Sequence, residues 1–593
     1  MPIRVPRLSL GHLPRTLALV WSSSRLNALA LGALTLVGGV LPIAVAWVGK
    51  LIVDSVVAGD PDAALRAVGI ELGLVVLLAA NSRGSGLLWQ LTGSRLSIDI
   101  NRAILEKART LDLRHFEDPT FYDQLTRARR EASSRPLSVV TSAFGLVQDL
   151  VTLVGYVGLL VRFSGWAVLG LVAASIPAAL VEMRFSKQAF RVGNWRAPES
   201  RRLNYIEHVL ATDRHAKEVM LFGLGRHLLD RYVTFAEKFF KEDRSLAMRR
   251  TGWAWLLSLL GTGAFYASYA WMVAQAALGA LTLGDMTLGL VAFRQGQGAF
   301  QGILGRIGRM YEDDLYMSNL FAYLSIPVTR EAVDPGKTLD ERGLRFEGVG
   351  FRYPGSEKWA LRGVDLFVPG GQSLALVGHN GAGKTTLIKL LTGLYAPTEG
   401  RVLLDGKDLR AWDPDTLRIR IGVIFQDFAT YQFTVKENVG FGSIDHLDDT
   451  ARLGRAVHAG GADELVGGLK DGLGTPLGRW FADGVELSGG QWQKVALARA
   501  FMREDADILV LDEPTAALDA EAEHEVFERF RRLAKGRTTI VISHRFPTVR
   551  MADRIVVLES GKVQEEGTHA ELVASGGRYA QLFALQAAGY APG

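Results

Sequence analysis

The residues Gly378 to Thr385, read GHNGAGKT, can hold a nucleoside triphosphate by its phosphates. They match the pattern G-x-x-x-x-G-K-[ST], in which glycines let successive backbone N–H groups point at one anion. Lys384 would reach the outer phosphates, and the Thr385 hydroxyl would ligate Mg²⁺. The residues expected to line the nucleotide here are Gly378, Asn380, Gly381, Gly383, Lys384, Thr385 and Thr386.

Two adjacent carboxylates follow an apolar run in DILVLDEP, Asp507 to Pro514. The run predicts a buried strand that delivers Asp512 and Glu513 to its C-terminal end, where open α/β sheets bind ligands. Asp512 would hold the magnesium shell, and Glu513 would orient or deprotonate an attacking water. The sequence therefore predicts phosphate hydrolysis.

A Ser-Gly-Gly turn stands about 24 residues before the Asp512–Glu513 pair, in LSGGQWQ, Leu487 to Gln493. The turn is expected to open a helix whose dipole and free N–H groups suit a phosphate. An ordinary surface turn would explain this stretch alone, but not its spacing from the other two motifs.

These motifs require particular elements around them. Ser373 to Val377 is predicted to be a buried strand and Thr386 to Leu391 a helix. From about Leu344, short apolar strands alternate with helices, which predicts a soluble α/β domain. Pro327 and Pro335 mark a linker before it, so we expect a first domain at 1–325, a linker at 326–343 and the α/β domain at 344–593.

The first half of the chain is strongly apolar. The 593 residues are 48% hydrophobic, and their mean hydropathy is +0.14. There is no cysteine, which excludes disulfides, thiolate metal sites and a cysteine nucleophile. The net charge of +5 is spread between apolar segments, so a lipid bilayer is a better partner than a nucleic acid.

Six apolar segments are near or above the roughly 20 residues that are needed to cross a bilayer. They are Leu26 to Val57, Ala64 to Leu91, Val139 to Val161, Gly165 to Val181, Gly252 to Leu281 and Thr287 to Ile307. Before them, Pro2 to Ser24 is expected to form an interfacial amphipathic helix, not a cleaved signal peptide. The first domain is thus predicted to be an α-helical six-span transmembrane domain.

The connections between the spans set the orientation. Arg95 to Arg135 and Arg184 to Arg250 are rich in Arg and Lys, whereas Ala58 to Asp62 and Leu281 to Asp285 carry only acids. The positive-inside rule therefore places the two long connections, both termini and the α/β domain in the cytoplasm of a multi-pass cell-membrane protein. The long connections are expected to be helical extensions of the spans.

Polar side chains within the spans are costly and usually face a bundle interior or water. Arg294, Gln297 and Gln301 share one helical face and could line a polar pathway. For Arg83 and Glu182, a structural ion pair or a position near the lipid headgroups is as good an explanation as a functional role. The full set is Glu71, Arg83, Asp149, Glu182, Arg294, Gln295, Gln297 and Gln301.

With these motifs together, nearly the whole chain resembles an ATP-binding cassette exporter that fuses one membrane domain to one nucleotide-binding domain. The resemblance assigns Tyr353 to adenine stacking, Gln426 to a loop that senses magnesium, and Asp519 to a loop between subunits. It makes His544 a switch near the γ-phosphate, and Leu487 to Gln491 the family signature. The membrane half also resembles the family. Two stretches look like the cytoplasmic loop regions that dock on nucleotide-binding domains, Phe116 to Asp123 and Lys217 to Gly225, and LTLGDMTLG resembles the entry to the sixth helix.

The resemblance also implies a dimer. In the family, ATP lies between the phosphate loop of one subunit and the residues matching Ser488, Gly489, Gly490 and Gln491 of the other. The consensus motifs of this chain favour a homodimer over pairing with a homologous half-transporter. ATP binding would close the dimer, and hydrolysis would reopen it.

The substrate stays open between an amphipathic peptide, a lipid or glycolipid, and a drug. Arg479 in TPLGRWFADG replaces an acid found in many exporters, and the run GRWFADGVELSGGQWQKVALARAF looks like that of lantibiotic-type peptide exporters. We therefore expect peptide export first, lipid flipping or multidrug efflux as alternatives, and import or a non-transporting ATPase as remoter ones.

Overall fold

The computed structural model describes residues 11–118, 121, 125, 135–163, 165–328, 342–513, 528, 531–532, 535–543 and 545–590. The chain divides into two compact units. The first comprises Met1–Thr110 and Thr120–Pro327, and the second comprises Leu111–Pro119 and Val328–Gly593. The short segment Leu111–Pro119 thus groups with the later part of the chain.

The first unit is helical. The helices up to residue 324 are α1 Leu13–Ser23, α2 Arg25–Val57, α3 Pro61–Arg109, α4 Leu113–Phe116, α5 Arg135–Phe163, α6 Gly165–Trp195, α7 Ala197–Ala211, α8 Asp213–Leu221, α9 Leu224–Ala277 and α10 Leu283–Leu324. Of these, α4 lies in the segment Leu111–Pro119 and so groups with the second unit. Five of the predicted spans fall within these long helices, and the remaining one, Gly252 to Leu281, runs four residues past the end of α9 at Ala277. The expectation of an N-terminal helix agrees with α1 over its described part.

Local sequence sets where the long helices begin. Asp60 accepts a hydrogen bond from the Ala63 N–H, and Pro61 fills the first turn, where no backbone donor is needed. Thr282 and Asp285 form a reciprocal capping box at the start of α10. Both starts follow short connections, so α2–α3 and α9–α10 are sharp reversals.

The lengths of α3 and α9 exceed what a bilayer requires. They have 49 and 54 residues, which corresponds to about 74 Å and about 81 Å against roughly 30 Å of hydrocarbon. The prediction that the basic connections continue the spans as helices is therefore confirmed where α3 extends to Arg109 and where α9 begins at Leu224. Among the described residues, α2, α3, α5 and α9 are long and apolar enough to cross a membrane by length and composition.

Polar residues predicted within the spans join helices of the first unit. Asp149 on α5 pairs with Arg306 on α10 at 2.7 Å. Glu182 on α6 pairs with Arg250 on α9, so it has the structural partner that the sequence left open. On α10, Arg294 and Gln301 are exposed in the single chain.

The second unit is an α/β domain. Its strands are β1 Gly343–Phe351, β2 Leu361–Pro369, β3 Ser373–Val377, β4 Glu399–Leu404, β5 Lys407–Asp408, β6 Ile421–Ile424, β7 Ile508–Asp512, β8 Thr538–Ile542, β9 Arg554–Glu559 and β10 Lys562–Gly567. Its helices are α11 Lys384–Leu391, α12 Pro414–Ile419, α13 Val435–Gly440, α14 Thr450–Gly460, α15 Asp463–Gly468, α16 Gly489–Phe501, α17 Phe546–Val549, α18 His569–Ala574 and α19 Arg578–Tyr590.

Two sheets build the domain. One is antiparallel with the order β2-β1-β4-β5, and the other has the order β10-β9-β3-β8-β7-β6. In the second sheet β3, β6, β7, β8 and β9 are parallel. Strands β7 and β8 are buried along their whole length, as expected for parallel strands covered on both faces.

A separate core lies under the helices that precede β7. It includes Val435 on α13, Leu453 on α14 and Trp492 on α16. Ala496 and Leu497, further along α16, pack instead in a cluster with Leu509 and Leu511 of β7. Helix α16 therefore connects a helical subdomain to the parallel sheet.

Candidate nucleotide-binding site

The phosphate loop runs from the end of β3 to the start of α11. Gly383 precedes that helix with φ at 107°, a conformation that L side chains rarely adopt. A Cβ on Gly383 would also lie 2.8 Å from the Ala360 carbonyl oxygen. A glycine is therefore needed here, and the helix begins at Lys384, two residues earlier than the sequence predicts.

Lys384 lies across the loop that it follows. Its Nζ donates to the Gly378 carbonyl at 2.6 Å and to the His379 carbonyl at 3.1 Å. Burial lowers the pKa of Lys384, and the neighbouring carboxylates of Glu513 and Asp512 oppose that effect. The buried ammonium and the loop N–H groups thus make a cationic seat for phosphate.

Asp512 ends β7 and is almost completely buried, with 1% of its surface exposed. Burial raises the pKa of Asp512 to about 6, and a hydrogen bond with Thr385 partly opposes that rise. One carboxylate oxygen, Oδ2, has no hydrogen-bond partner among the described residues. A buried orphan oxygen beside a hydroxyl fits a hard divalent cation, which prefers oxygen ligands.

Glu513 is the next residue in the chain, but its side chain lies in a different environment. Its φ is 48°, in the left-handed region that non-glycine residues seldom occupy. Gln426, which follows β6, donates from Nε2 to Glu513 Oε2 at 3.1 Å. The structure therefore brings together five of the predicted site residues, Lys384, Thr385, Gln426, Asp512 and Glu513.

Tyr353 lies beside the helix that follows the phosphate loop. Its hydroxyl is 3.0 Å from the Thr386 hydroxyl. Phe351 and Tyr395 hold the Tyr353 ring edge-on, with centroids 5.0 Å and 5.7 Å away. A fixed, half-buried aromatic ring is suited to stacking on a nucleotide base.

The signature turn caps α16. Ser488 and Gln491 form a capping box, and the backbone N–H of Ser488 donates to Gln491 Oε1 at 2.9 Å. Ser488 and Gly489 are exposed, and no hydrogen bond or ion pair of the described residues joins this turn to the phosphate loop. The turn is thus available to another molecule.

Sequence reasoning missed a polar link between Glu117 and α11. Lys389 donates to Glu117 Oε1 at 2.8 Å, and the Tyr395 hydroxyl donates to Glu117 Oε2. The Lys389 ammonium also lies 5.3 Å from the Tyr353 ring centroid. Glu117 stands 272 positions from Lys389 in the chain, so only its place in the motif Phe116 to Asp123 could have signalled a role.

Arg479, the departure from the family pattern, has local partners. Its guanidinium lies 3.5 Å from Glu486, and its backbone N–H donates to Gln432 Oε1 at 2.8 Å. The neighbouring Trp480 is 81% exposed. Two further predicted site residues, Asp519 and His544, lie outside the described residues.

The profile of one protein family, described as ABC transporter, matches residues 361–516. The subtilin transport ATP-binding protein SpaT of Bacillus subtilis is 31% identical over 95% of this chain and 92% of its own. The nisin transport ATP-binding protein NisT of Lactococcus lactis subsp. lactis is 26% identical over 96% and 95%. An ATP-dependent lipid A-core flippase of Thiobacillus denitrificans is 31% identical over 96% and 98%.

One solved structure has the same fold. It is a bacterial Atm1-family ABC exporter with ATP bound, and it superposes with a TM-score of 0.77 at 24% sequence identity. The match covers 96% of this chain and 99% of the exporter. The predicted architecture, a helical membrane domain followed by an α/β ATPase domain, is confirmed.

Proposed function

The chain belongs to the ABC transporter family and is an ATP-hydrolysing transporter with the exporter fold, and we propose that it exports an amphipathic peptide as a homodimer. The assignment of ATP hydrolysis to this domain rests on one observation. Five side chains cluster around the end of β7, those of Lys384, Thr385, Gln426, Asp512 and Glu513. Transport follows from family membership and from the long apolar helices of the first unit.

The cluster divides the chemistry between two adjacent acids. Asp512, with Thr385 and Gln426, would hold Mg²⁺, which neutralises charge on the phosphates when it is bound. Glu513 orients and deprotonates the attacking water, while Lys384 stabilises charge on the transferred phosphoryl group. His544 would contact the γ-phosphate, Asp519 would lie between subunits, and Tyr353 would stack on adenine.

Two copies of the chain would form two complete sites. The phosphate loop carries one face of the nucleotide site, and the exposed N-terminus of α16 offers Ser488, Gly489, Gly490 and Gln491 as the other. ATP between them would favour the closed dimer because it binds both halves only there. One chain carries both consensus halves, which favours a homodimer.

The proposed topology has six spans, with both termini and the ATPase domain in the cytoplasm. The acidic connections that follow α2 and α9 would be external. The basic C-terminal part of α3 and the basic N-terminal part of α9 would be internal. The sixth span, in α10, carries Arg294, Gln297 and Gln301, and would be shielded from lipid by other helices.

A peptide substrate is favoured by the sequence around Arg479 and by the relatives that transport subtilin and nisin. A lipid is the second candidate because a lipid A-core flippase is equally similar over the same length. Proteoliposomes with outward-facing ATPase domains separate the two. Uptake of labelled amphipathic peptide on addition of ATP is expected, and movement of a phosphoglycolipid without any peptide uptake would contradict the proposal.

The catalytic assignment makes a prediction with the same preparation. Glu513→Gln is expected to abolish ATP turnover and transport while retaining ATP binding, because the amide keeps the shape but cannot accept a proton. Lys384→Ala is expected to weaken both binding and turnover. Nucleotide binding and phosphate release measure the two effects, and wild-type hydrolysis by Glu513→Gln would disprove the role of the glutamate.

A further inference from the structure

A cavity of about 380 Å³ lies among four helices of the first unit. Its polar groups come from Lys50 on α2, Glu71 on α3, Tyr156 on α5, and Thr287 and Gln295 on α10. The rest of the wall is mainly apolar and includes Pro42, Val53 and Val291. The volume accommodates one or two amino-acid side chains, and it lies away from the nucleotide-binding motifs in the sequence.

The cavity lies in the half of the first unit that carries the short connection 58–60. Measured along their helices, Lys50 lies about 10 Å and Glu71 about 15 Å from that connection. Lys50, Ala46 and Val53 repeat every three to four residues, so they form one face of α2. In the proposed topology this is the external half of the membrane domain.

The charge of Lys50 is already compensated. Its ammonium lies 3.0 Å from Asp54 and 3.2 Å from Asp285. Asp54 also accepts a hydrogen bond of 3.1 Å from the Gly284 N–H. These contacts tie the end of α2 to the start of α10, and they leave Lys50 little capacity to attract an anion.

Glu71 is in the opposite situation. It is half-buried in the cavity wall, and among the described residues it has neither a hydrogen bond nor an ion pair. Lys50 lies 5.6 Å from the Trp47 ring, and Arg162, which does not line the cavity, lies 5.9 Å from the same ring. Of the described residues that line the cavity, Lys50 is the one cation, and Asp54 and Asp285 already neutralise it. A carboxylate in a span is costly unless it meets water or a cation.

Building on the proposed peptide export, we propose that this cavity receives an ammonium or guanidinium group of the substrate and that Glu71 selects for its positive charge. The apolar wall packs against the neighbouring apolar part of the substrate, and Gln295 supplies a neutral hydrogen-bonding group. This preference separates the two candidate substrates, because an anionic phosphoglycolipid headgroup would be repelled by Glu71.

The test uses the full-length protein in vesicles of neutral phosphatidylcholine. Two labelled amphipathic peptides of one sequence are compared, one with free lysines and one with acetylated lysines. The wild type is expected to take up the cationic peptide faster on addition of ATP. Glu71→Gln is expected to lower the ratio of the two rates about tenfold, the usual effect of losing one charged hydrogen bond.

Two variants make the outcome decisive. Asp62→Asn removes an exposed acid of the same helix outside the cavity and should leave the ratio unchanged. Gln295→Glu adds a charge to the cavity and should raise the ratio. If Glu71→Gln does not yield a folded transporter, Gln295→Glu is the deciding variant. An unchanged ratio of the two uptake rates in Gln295→Glu then overturns the inference.

The failure of the inference is distinct from the failure of peptide export. ATP-driven uptake of both peptides at one rate, or a ratio that Glu71→Gln does not change, overturns the role of Glu71 and leaves export intact. A wild type that moves neither peptide on addition of ATP overturns both.

Discussion

At the scale of the residue, two neighbouring acids occupy different environments because the backbone turns sharply between them. Asp512 is the last residue of a buried strand, whereas Glu513 adopts a left-handed conformation and meets Gln426. Burial raises the pKa of Asp512 to about 6. Environments that differ in this way allow one acid to hold a cation and the other to accept a proton.

The raised pKa of Asp512 predicts a pH-dependent gain of stability when the acid is removed. The folded protein binds this proton more tightly than the unfolded chain, so stability is lost as the pH rises from the ordinary value near 3.8 through about 6. Above that window the charged Asp512 costs about 3 kcal/mol. Asp512→Asn should therefore raise the unfolding temperature of the nucleotide-free transporter at pH 8 and raise it less at pH 5.

A matched control is Asp445→Asn, which removes an exposed aspartate from the same domain. Thermal unfolding without nucleotide and magnesium should show no pH-dependent difference between this control and the wild type. A gain for Asp512→Asn that is equally large at pH 5 and pH 8 would contradict the buried, protonatable state of Asp512.

At the scale of the element, the segment Leu111–Pro119 is covalently continuous with α3 but packs with the ATPase domain. Burial disfavours the charged form of Glu117, but its hydrogen bonds from Lys389 and Tyr395 outweigh this and lower the pKa of Glu117. Lys389 belongs to α11, the helix that begins with the phosphate-binding Lys384. We therefore expect that a shift of that helix moves the segment Leu111–Pro119, which continues from α3.

We predict that Glu117→Gln reduces transport per ATP hydrolysed by about fivefold, a low value for a coupling between sites. The amide keeps the size of the side chain but loses the charge that holds Lys389. Basal hydrolysis should stay near the wild-type rate because Glu117 does not belong to the nucleotide cluster. Peptide uptake and phosphate release, measured in the same proteoliposomes, give the ratio.

The control for this element is Glu106→Gln on α3, whose carboxylate pairs with Arg102 of the same helix and is 58% exposed. It should leave the ratio of transport to hydrolysis unchanged. An unchanged ratio in Glu117→Gln as well would mean that the segment Leu111–Pro119 does not couple the two activities through this carboxylate.

At the scale of the whole molecule, the signature turn has no bond to the phosphate loop of its own chain among the described residues. Mixed dimers with two affinity tags test whether each site is shared. When one chain carries Lys384→Ala and its partner Ser488→Arg, one composite site stays intact, and about half of the hydrolysis is expected to remain. When one chain carries both changes and its partner neither, no composite site is intact.

The reverse pattern would mean that each site is contained in one chain. In that case the doubly substituted chain would leave its unaltered partner active, and the divided arrangement would inactivate both chains. Purification through both tags ensures that only mixed dimers are measured.

The sequence predicts most of this architecture because its signals are local. The strand Ser373–Val377, the strand before Asp512 and the long helices follow from apolar patterns and turn residues. The pairs Glu117–Lys389 and Asp149–Arg306 could not be predicted in that way, because they join residues that are 272 and 157 positions apart. The backbone conformation of Glu513 also depends on its surroundings, since glutamate has no intrinsic preference for it.

The left-handed backbone at Glu513 has a consequence over evolutionary time. A glutamate in that conformation is roughly 1 kcal/mol less stable than a glycine would be. Random substitution without selection for hydrolysis would therefore favour replacements that relax the turn. A duplicated copy of the chain that is released from selection for hydrolysis is therefore expected to change at position 513 early.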